Sequence, residues 1–535
     1  PKFPPATGLS LLLHCYQRTK DRHALTMVQT TLSAMAAGGI YDQIGGGFAR
    51  YSTDERWLVP HFEKMLYDNA LLAHVYVEAY QVTGDETYRR VACETLDYVL
   101  REMTSPDGGY YSATDADSES VEGKFFVWTP EEIRAAVSTE EDARRFCAYY
   151  DVTSDGNWEH KNVLHRPKPL EAVANELGIT AQELHDTLAR VTPLLYAARA
   201  TRVPPGLDDK IITAWNGMMI RAMAEAARVF GMPRYREAAQ RAADFLLSTL
   251  STADGRLLRT YRAGKAHLNA YLEDYAYLAE GLIDVYEAGG DERYLKEAVR
   301  LAERVLADFV DVEMGGFFTT ALGHETLILR SREGPDGATP SGNAVAASAL
   351  ARLAAHYGRE DFREAAAAAV RAYGRHIGRY PRAFAKSLLV VDFLTAGPVE
   401  IALIGPIDHL STEALCAAVS RTYLPNRVLA HHDPARGETE HPLLKGKTLI
   451  DDKPALYVCR NFACRRPITD PADLPTLLAE PSAAAHSDSS ERRQRILSGT
   501  LFPGAATAQG TAAYAARLIH QAAEGESSAN GFGPF

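Results

Sequence analysis

The sequence has few cysteines, no long apolar run and no excess of positive charge, and each shortage excludes something. Six cysteines in 535 residues cannot build a disulfide scaffold. Cys15, Cys93 and Cys147 are scattered like small apolar residues. Cys459 and Cys464 stand five apart, which is not the C-x-x-C of a redox or zinc site. A reducing, cytoplasmic setting is therefore expected. The net charge of −12 leaves no electrostatic footprint for nucleic acid, and the short run Glu491–Arg495 is too small to change that. No apolar stretch reaches the roughly 18–20 residues that cross a bilayer, so no membrane partner is expected. The opening "PKFPPATG" lacks the charged-then-apolar leader of a signal peptide and reads as the stub of something longer. No phosphate loop, H-E-x-x-H or G-x-S-x-G occurs. Nucleotide, zincin and serine-hydrolase chemistry drop out, and no cofactor or metal is expected.

What the chain does have is an internal repeat. "GDETYRRVACETLDYVLREMTSPDGGYY", "GMPRYREAAQRAADFLLSTLSTADGRLL" and "GGDERYLKEAVRLAERVLADFVDVEMGGFF" each open on a glycine turn followed by Tyr88, Tyr235 or Tyr294. Each continues with apolar residues at helical spacing, as in Tyr294, Ala298, Leu301 and Val305. A weaker copy begins at Gly358. A further helix rich in small residues precedes each copy, so the unit is a helical hairpin of about 45–60 residues. The first helix of each pair suits an inner position, and the more aromatic, more charged second helix an outer one. The reading is an all-α (α/α)6 barrel of about six hairpins over residues 1–396. Residues 112–205 interrupt it as an insertion with an acidic loop, a strand "KFFVW" and several helices. Residues 397–475 read as a small α/β excursion of short strands around "STEALCAAVSRTY". Residues 476–535 read as a largely irregular tail.

Asn69, Asn216, Asp274 and Asn343 fall at one position when the first helices of the hairpins are aligned. N-terminal capping accounts for that alignment. It does not account for the loops before them, each of which carries its own polar set: His61, Glu63 and Lys64; Asp208, Asp209 and Lys210; His267 and Glu273; Arg330, Arg332 and Ser341. In a closed barrel these loops meet at one end, where a polar pocket is expected.

The stretches "GGIYDQIGGGFARYSTDERWLVPHFEKMLYDNALL", "GGYYSATDADSESVEGKFFVWTPEEI", "DDKIITAWNGMMI", "TPSGNAVAA" and "ALYVCRNFACRRPITDPADL" resemble the YyaL-type family, which includes the spermatogenesis-associated thioredoxin-domain proteins. The resemblance implies an N-terminal thioredoxin-like domain followed by a six-hairpin glycosidase-like barrel, similar to those of N-acylglucosamine 2-epimerases. "PKFPP" resembles the junction after the thioredoxin-like domain, so this chain is expected to lack it. A thioredoxin-like domain or protein is then a possible partner.

The chemistry expected at the funnel is that of a carbohydrate. Epimerisation needs an acid and a base on opposite faces of a sugar carbon, roles open to His61 and His267. Glycoside hydrolysis needs two carboxylates, about 5–5.5 Å apart for retention or about 6.5–9.5 Å for inversion. Asp68, Asp208, Asp209, Glu273 and Asp274 are the candidates. His61, Asp68, Asp209 and Glu273 are thus the expected catalytic groups. Trp57, Glu63, Tyr67, Trp215, Asn216, His267, Asp274, Arg332 and Asn343 are the expected substrate contacts. Asp115, Asp117, Glu119 and Glu122 share one loop that departs from a calcium-binding pattern. It reads as a solvated acidic turn or as a lip over the funnel. The competing class is a noncatalytic docking module.

Overall fold

The computed structural model describes residues 1–325 and 327–479. The chain opens with α1 (Ala6–Thr19), α2 (Arg22–Ala37), α3 (Leu66–Thr83) and α4 (Glu86–Glu102). The insertion holds α5 (Pro130–Ala136), α6 (Glu140–Tyr149), α7 (Leu170–Leu177) and α8 (Ala181–Arg199). The hairpins resume with α9 (Thr213–Phe230), α10 (Pro233–Thr249), α11 (Leu272–Gly289), α12 (Glu292–Asp308), α13 (Gly342–Tyr357) and α14 (Glu360–Arg371). Two helices follow, α15 (Gly374–Arg379) and α16 (Ala385–Ala396), and the last described are α17 (Leu410–Arg421) and α18 (Leu474–Ala479).

The inner ring closes. Helix α1 packs on α3, α3 on α9, α9 on α11, α11 on α13, α13 on α16, and α16 on α1. The expected (α/α)6 barrel is thus present as five hairpins plus α16. In place of a sixth outer helix the chain leaves α16 through Gly397 and enters a strand. In four hairpins the inner helix ends on a left-handed glycine, Gly84, Gly231, Gly290 or Gly358 (φ 65° to 71°), the conformation that side chains with a Cβ adopt only at a cost. That is why the repeat opens on glycine. The tyrosine that follows serves the outer ring. Tyr235 donates to Asp97 at 2.9 Å and Tyr294 to Asp244 at 3.0 Å, and Arg234 and Arg293 bind the same two carboxylates. The closest inner pair is α9 with α11. A Cβ on Gly217 would stand 2.5 Å from the Tyr277 carbonyl carbon, and one on Gly281 2.7 Å from the Gly217 oxygen.

The aligned asparagines do something other than cap their own helices. Asn69 accepts the Phe48 N–H at 2.7 Å and donates to the Phe48 carbonyl at 3.1 Å. Asn216 does the same with Tyr110, and Asn343 with Phe317. Each therefore clamps the loop arriving from the preceding outer helix onto the next inner helix. Asp274 departs from the pattern. It accepts the Ala214 N–H of α9 and the Tyr271 N–H at its own helix start.

The α/β excursion is a four-stranded sheet in the order Arg427–His432, Val399–Ile404, Ala455–Arg460, Ala463–Cys464, parallel in its first pair and antiparallel after it. Cys459 and Cys464 face each other in the last register and form a disulfide. Their spacing of five is that of a tight hairpin. The expected strand "KFFVW" is instead a turn closed by Phe126 N–H to Gly123 O, with Trp128 bridging to Asn162. Beyond Ala479 the expected irregular tail lies outside the described residues. No helix among the described residues is long and apolar enough to cross a membrane.

Candidate functional site

The sheet decides which end of the barrel is open. Helix α17 packs on α9, and the strand Arg427–His432 packs on α11 and α13. Gln81 near the end of α3 donates to the Ser420 carbonyl, Gln17 near the end of α1 to the Tyr423 carbonyl, and Asn426 to Asp392 of α16 at 2.7 Å. Residues Ser420 to Arg427 thus floor the barrel at the C-terminal ends of its inner helices. The N-terminal ends form the mouth.

The structure distributes the expected site residues over several loops. Glu63, Tyr67 and Asp68 do come together at the start of α3. Arg50 bonds Glu63 at 3.0 Å and also the Tyr67 hydroxyl, and Tyr67 meets Trp215 edge-on at 4.9 Å. His61 is stacked on Tyr51 with Nδ1 2.7 Å from Glu122, which makes the acidic turn its neighbour; Glu63 is 3.7 Å away. Asp209 pairs with Arg262, Lys210 with Asp208, and Glu273 with Arg259. His267 lies exposed on a two-stranded hairpin with Thr260 as partner. Arg332 pairs with Asp311. His61 and His267 therefore stand on separate loops with separate partners and do not face each other as an acid–base pair. Trp57 (3% exposed), Asn216 (0%), Asp274 (0%) and Asn343 (3%) are sealed; the two asparagines spend their side chains on backbone, and Asp274 on backbone N–H groups and Arg259. Lys64 turns inward to Asp42, which Arg199 of the insertion also binds. Among the described residues no group of three or more His, Cys, Asp or Glu could hold a metal ion.

The barrel axis carries a cavity of about 110 Å³ that all six inner helices line. Its polar groups come from one stripe per helix: Ser10 and His14 on α1, His74 and Glu78 on α3, Arg221 and Glu225 on α9, Glu280 on α11, Arg352 on α13 and Lys386 on α16. Side chains four apart on a helix share a face, and that face here points inward. None of these residues belongs to the loops singled out from sequence. A signal existed all the same. In "WNGMMIRAMAEAAR" charges at 221, 225 and 228 sit at helical spacing among alanines, on a helix already assigned to the inner ring.

The groups are tightly paired. Lys386 donates to Glu280 at 2.8 Å, and Arg221 binds the other Glu280 oxygen at 3.1 Å. Arg352 forks onto Asp284 at 2.7 and 2.9 Å. Arg427 of the floor reaches Glu287 at 3.3 Å. Burial alone would raise the Glu280 carboxyl, but Lys386 and Arg221 outweigh it and hold it at about 2. Burial is likewise overcome at Glu225, held well below the usual range by His74 and Arg221. Glu78 receives the hydroxyls of Ser10 and Tyr423 and lies between two imidazoles. His14 Nε2 is 4.0 Å from one oxygen, His74 Nε2 3.7 Å from the other. Behind them, His14 Nδ1 is 3.6 Å from Asp392, and His74 Nδ1 faces Glu225. Arg221 approaches His74 Nε2 at 3.3 Å. A guanidinium has no acceptor, so Nε2 is the accepting nitrogen in this contact.

Fold and cavity together define an (α/α)6-barrel protein with a blind, charge-lined pocket on its axis. The chain is 36% identical to spermatogenesis-associated protein 20 of Homo sapiens over 520 residues, 89% of this chain and 66% of that protein. It is 30% identical to an uncharacterised protein of Caenorhabditis elegans over 510 residues, 88% of this chain and 69% of that one. It belongs to the spermatogenesis-associated protein 20 family, and spans just under two thirds of the length of the human member. No family model matches the chain. Similar solved structures include an α-mannanase of glycoside hydrolase family 76 from Bacteroides thetaiotaomicron (TM-score 0.42, 11% identity, 70% of this chain and 75% of that one). They also include a sugar epimerase from a ruminal bacterium (TM-score 0.29, 15% identity, 60% and 79%).

Proposed function

We propose that the barrel binds a carbohydrate in its axial cavity and isomerises or epimerises it by proton transfer between carbon and an imidazole. The observation that carries this is the arrangement of His14 and His74 on neighbouring inner helices, at the two oxygens of Glu78. Each ring also has a further carboxylate near its Nδ1, Asp392 for His14 and Glu225 for His74, which favours one orientation of the ring. His74 presents an accepting nitrogen and suits the base. His14 stands between Glu78 and Asp392, which suits a proton donor. Arg221, Glu280, Lys386 and Arg352 supply the charge-assisted partners that sugar hydroxyls need. His14 and His74 thereby take the roles first considered for His61 and His267.

Glycoside hydrolysis fits this cavity less well. It needs a carboxylic acid that keeps its proton near neutrality, whereas Glu225 and Glu280 are held ionised. The docking reading would be favoured by a broad apolar surface near Pro1. The large exposed apolar side chain there is Phe3, 52% exposed and packed on Tyr51.

The test is a titration calorimetry screen of aldoses and ketoses against wild type and Arg221→Ala. Binding that Arg221→Ala weakens at least tenfold supports the axial site. Binding indifferent to Arg221, or none, turns the choice toward docking.

A further inference from the structure

The four-stranded sheet ends in a tight hairpin of the strands Ala455–Arg460 and Ala463–Cys464. Asn461 and Phe462 make its turn, both in the left-handed region (φ 51° and 60°), as the twist of a two-residue hairpin requires. Cys459 and Cys464 stand opposite each other one step beyond the turn and are joined. The backbone holds that register without the sulfurs. Arg465 N–H bonds the Val458 carbonyl at 3.0 Å, and Leu456 and Ile468 exchange two bonds at 2.8 and 3.0 Å. The buried Glu400 accepts the Phe462 N–H at 2.7 Å. Opening the disulfide therefore leaves the two sulfurs facing each other.

The two sulfurs differ in access. Cys464 is exposed, whereas Cys459 is 2% exposed. An incoming thiol meets Cys464 first and leaves Cys459 as the departing sulfur. The flanks of the pair are cationic, with Arg460, Arg465 and Arg466 within seven residues. Arg465 donates to the Leu477 carbonyl, and Arg466 is exposed. The carboxylate that meets the turn, Glu400, is buried. A positive, partly open setting favours thiolates and draws in anionic thiols. The other four cysteines offer no such setting. Burial pushes the Cys15 thiol up to about 12 and the Cys147 thiol up to about 11, and it raises those of Cys93 and Cys416.

We propose that Cys459 and Cys464 form a thiol–disulfide exchange site, which takes a small anionic thiol of the glutathione class at Cys464. The thiolate attacks Cys464 Sγ. A new S–S bond forms to the incoming sulfur, and the bond to Cys459 breaks. Cys459 leaves as a thiolate and takes a proton from water. A second thiol then attacks the sulfur that the first one brought, releases Cys464 as a thiolate and departs as the small-molecule disulfide. Two thiols are oxidised, and the protein disulfide is reduced. In the reverse direction Cys459 expels the small thiol from Cys464 and closes the disulfide again. That return is intramolecular, because the hairpin keeps the two cysteines opposed. The site is independent of the carbohydrate reading above.

The experiment exposes the full chain to excess reduced glutathione and then to oxidised glutathione, traps free thiols with iodoacetamide, and reads each cysteine by peptide mass spectrometry. The expected result is that wild type is reduced without urea, keeps its far-ultraviolet circular dichroism, and re-forms the Cys459–Cys464 bond with oxidised glutathione. Reduced Cys459→Ser accumulates a glutathione adduct at Cys464. Reduced Cys464→Ser forms one at Cys459 at least tenfold more slowly. Arg466→Glu slows exchange with glutathione about threefold and leaves exchange with the neutral thiol β-mercaptoethanol unchanged. A wild-type disulfide that glutathione opens only in urea overturns the site and makes the bond a structural crosslink; this arm needs no variant to fold. An adduct that forms as fast at Cys459 as at Cys464, or as fast at Cys93 or Cys147, overturns it too. Equal slowing of both thiols by Arg466→Glu overturns the preference for an anionic thiol.

Discussion

The Lys386 ammonium reaches Glu280 Oε1 at 2.8 Å inside the barrel. It joins α16 to α11 past the intervening helix α13, and both side chains are buried. Such a pair adds little net stability over an apolar pair but is costly to break on one side, about 3–5 kcal/mol. Lys386→Ala is therefore expected to lower the melting temperature markedly, and Lys386→Ala with Glu280→Gln to recover part of the loss. A thermal melt of the two variants beside wild type decides it. Equal melting temperatures for the two would show that the pair is not coupled.

Glu280 also predicts how the barrel responds to acid. Its folded pKa of about 2 lies below its ordinary 4.5. The stabilisation is thus fully present above pH 4.5 and is lost as pH falls toward 2. A shift of that size corresponds to roughly 3 kcal/mol. Urea unfolding from pH 6 down to pH 3 is expected to show a shallower loss of stability in Glu280→Gln than in wild type. Parallel curves would contradict the assignment.

Asn216 is predicted to matter for stability and not for ligand. Asn216→Ala strands the Tyr110 N–H and carbonyl and the Ile212 carbonyl, which the amide now satisfies. A buried group left unpaired costs about 1–3 kcal/mol, so a loss of at least about 3 kcal/mol is expected in urea unfolding. The folded fraction should bind a sugar with wild-type affinity in calorimetry.

Tyr423 tests the floor. Its hydroxyl donates to Glu78 at 3.2 Å from outside the six inner helices. Tyr423→Phe removes a hydrogen bond to a charged group, worth about 1.5–3 kcal/mol. Turnover is expected to fall at least tenfold, with only a modest fall in melting temperature and the protein still folded at the assay temperature. Full activity would show that the α/β excursion does not help to set the cavity.

The surface loops predict the opposite. His267→Ala and Asp209→Asn remove groups whose partners are Thr260 and Arg262. Turnover in both is expected to stay within twofold of wild type. A loss of a hundredfold in either would move the reaction centre out of the axis.

Much of the fold was legible because its repeat is a backbone device. The glycines at 84, 231, 290 and 358, and the tyrosines that follow the first three, recur for reasons local to each hairpin. The aligned Asn69, Asn216 and Asn343 recur for a similar reason, though their partners lie in the loop behind them, a relation that the spacing of one helix cannot reveal. The axial cavity was harder to read. Its groups are scattered from Ser10 to Arg427, one or two per helix, and become a site only when the ring closes. The polar loops drew attention because they differ from repeat to repeat. Most of that variety is local ion pairing, as at Asp208 with Lys210 and Arg332 with Asp311. The floor depended on residues 410–432 lying across helices that end near residues 19, 83, 230, 289 and 357, which no local pattern encodes.

The most direct measurement is solvent deuterium incorporation, followed by NMR, in a panel of aldoses and ketoses with wild type, His14→Asn and His74→Gln. The proton-transfer account predicts deuterium at the carbon next to the carbonyl of one sugar in wild type, with a loss of about 10²–10⁴-fold in either variant while both stay folded. Exchange that persists in His74→Gln, or a sugar bound tightly in the cavity that never exchanges, would contradict it.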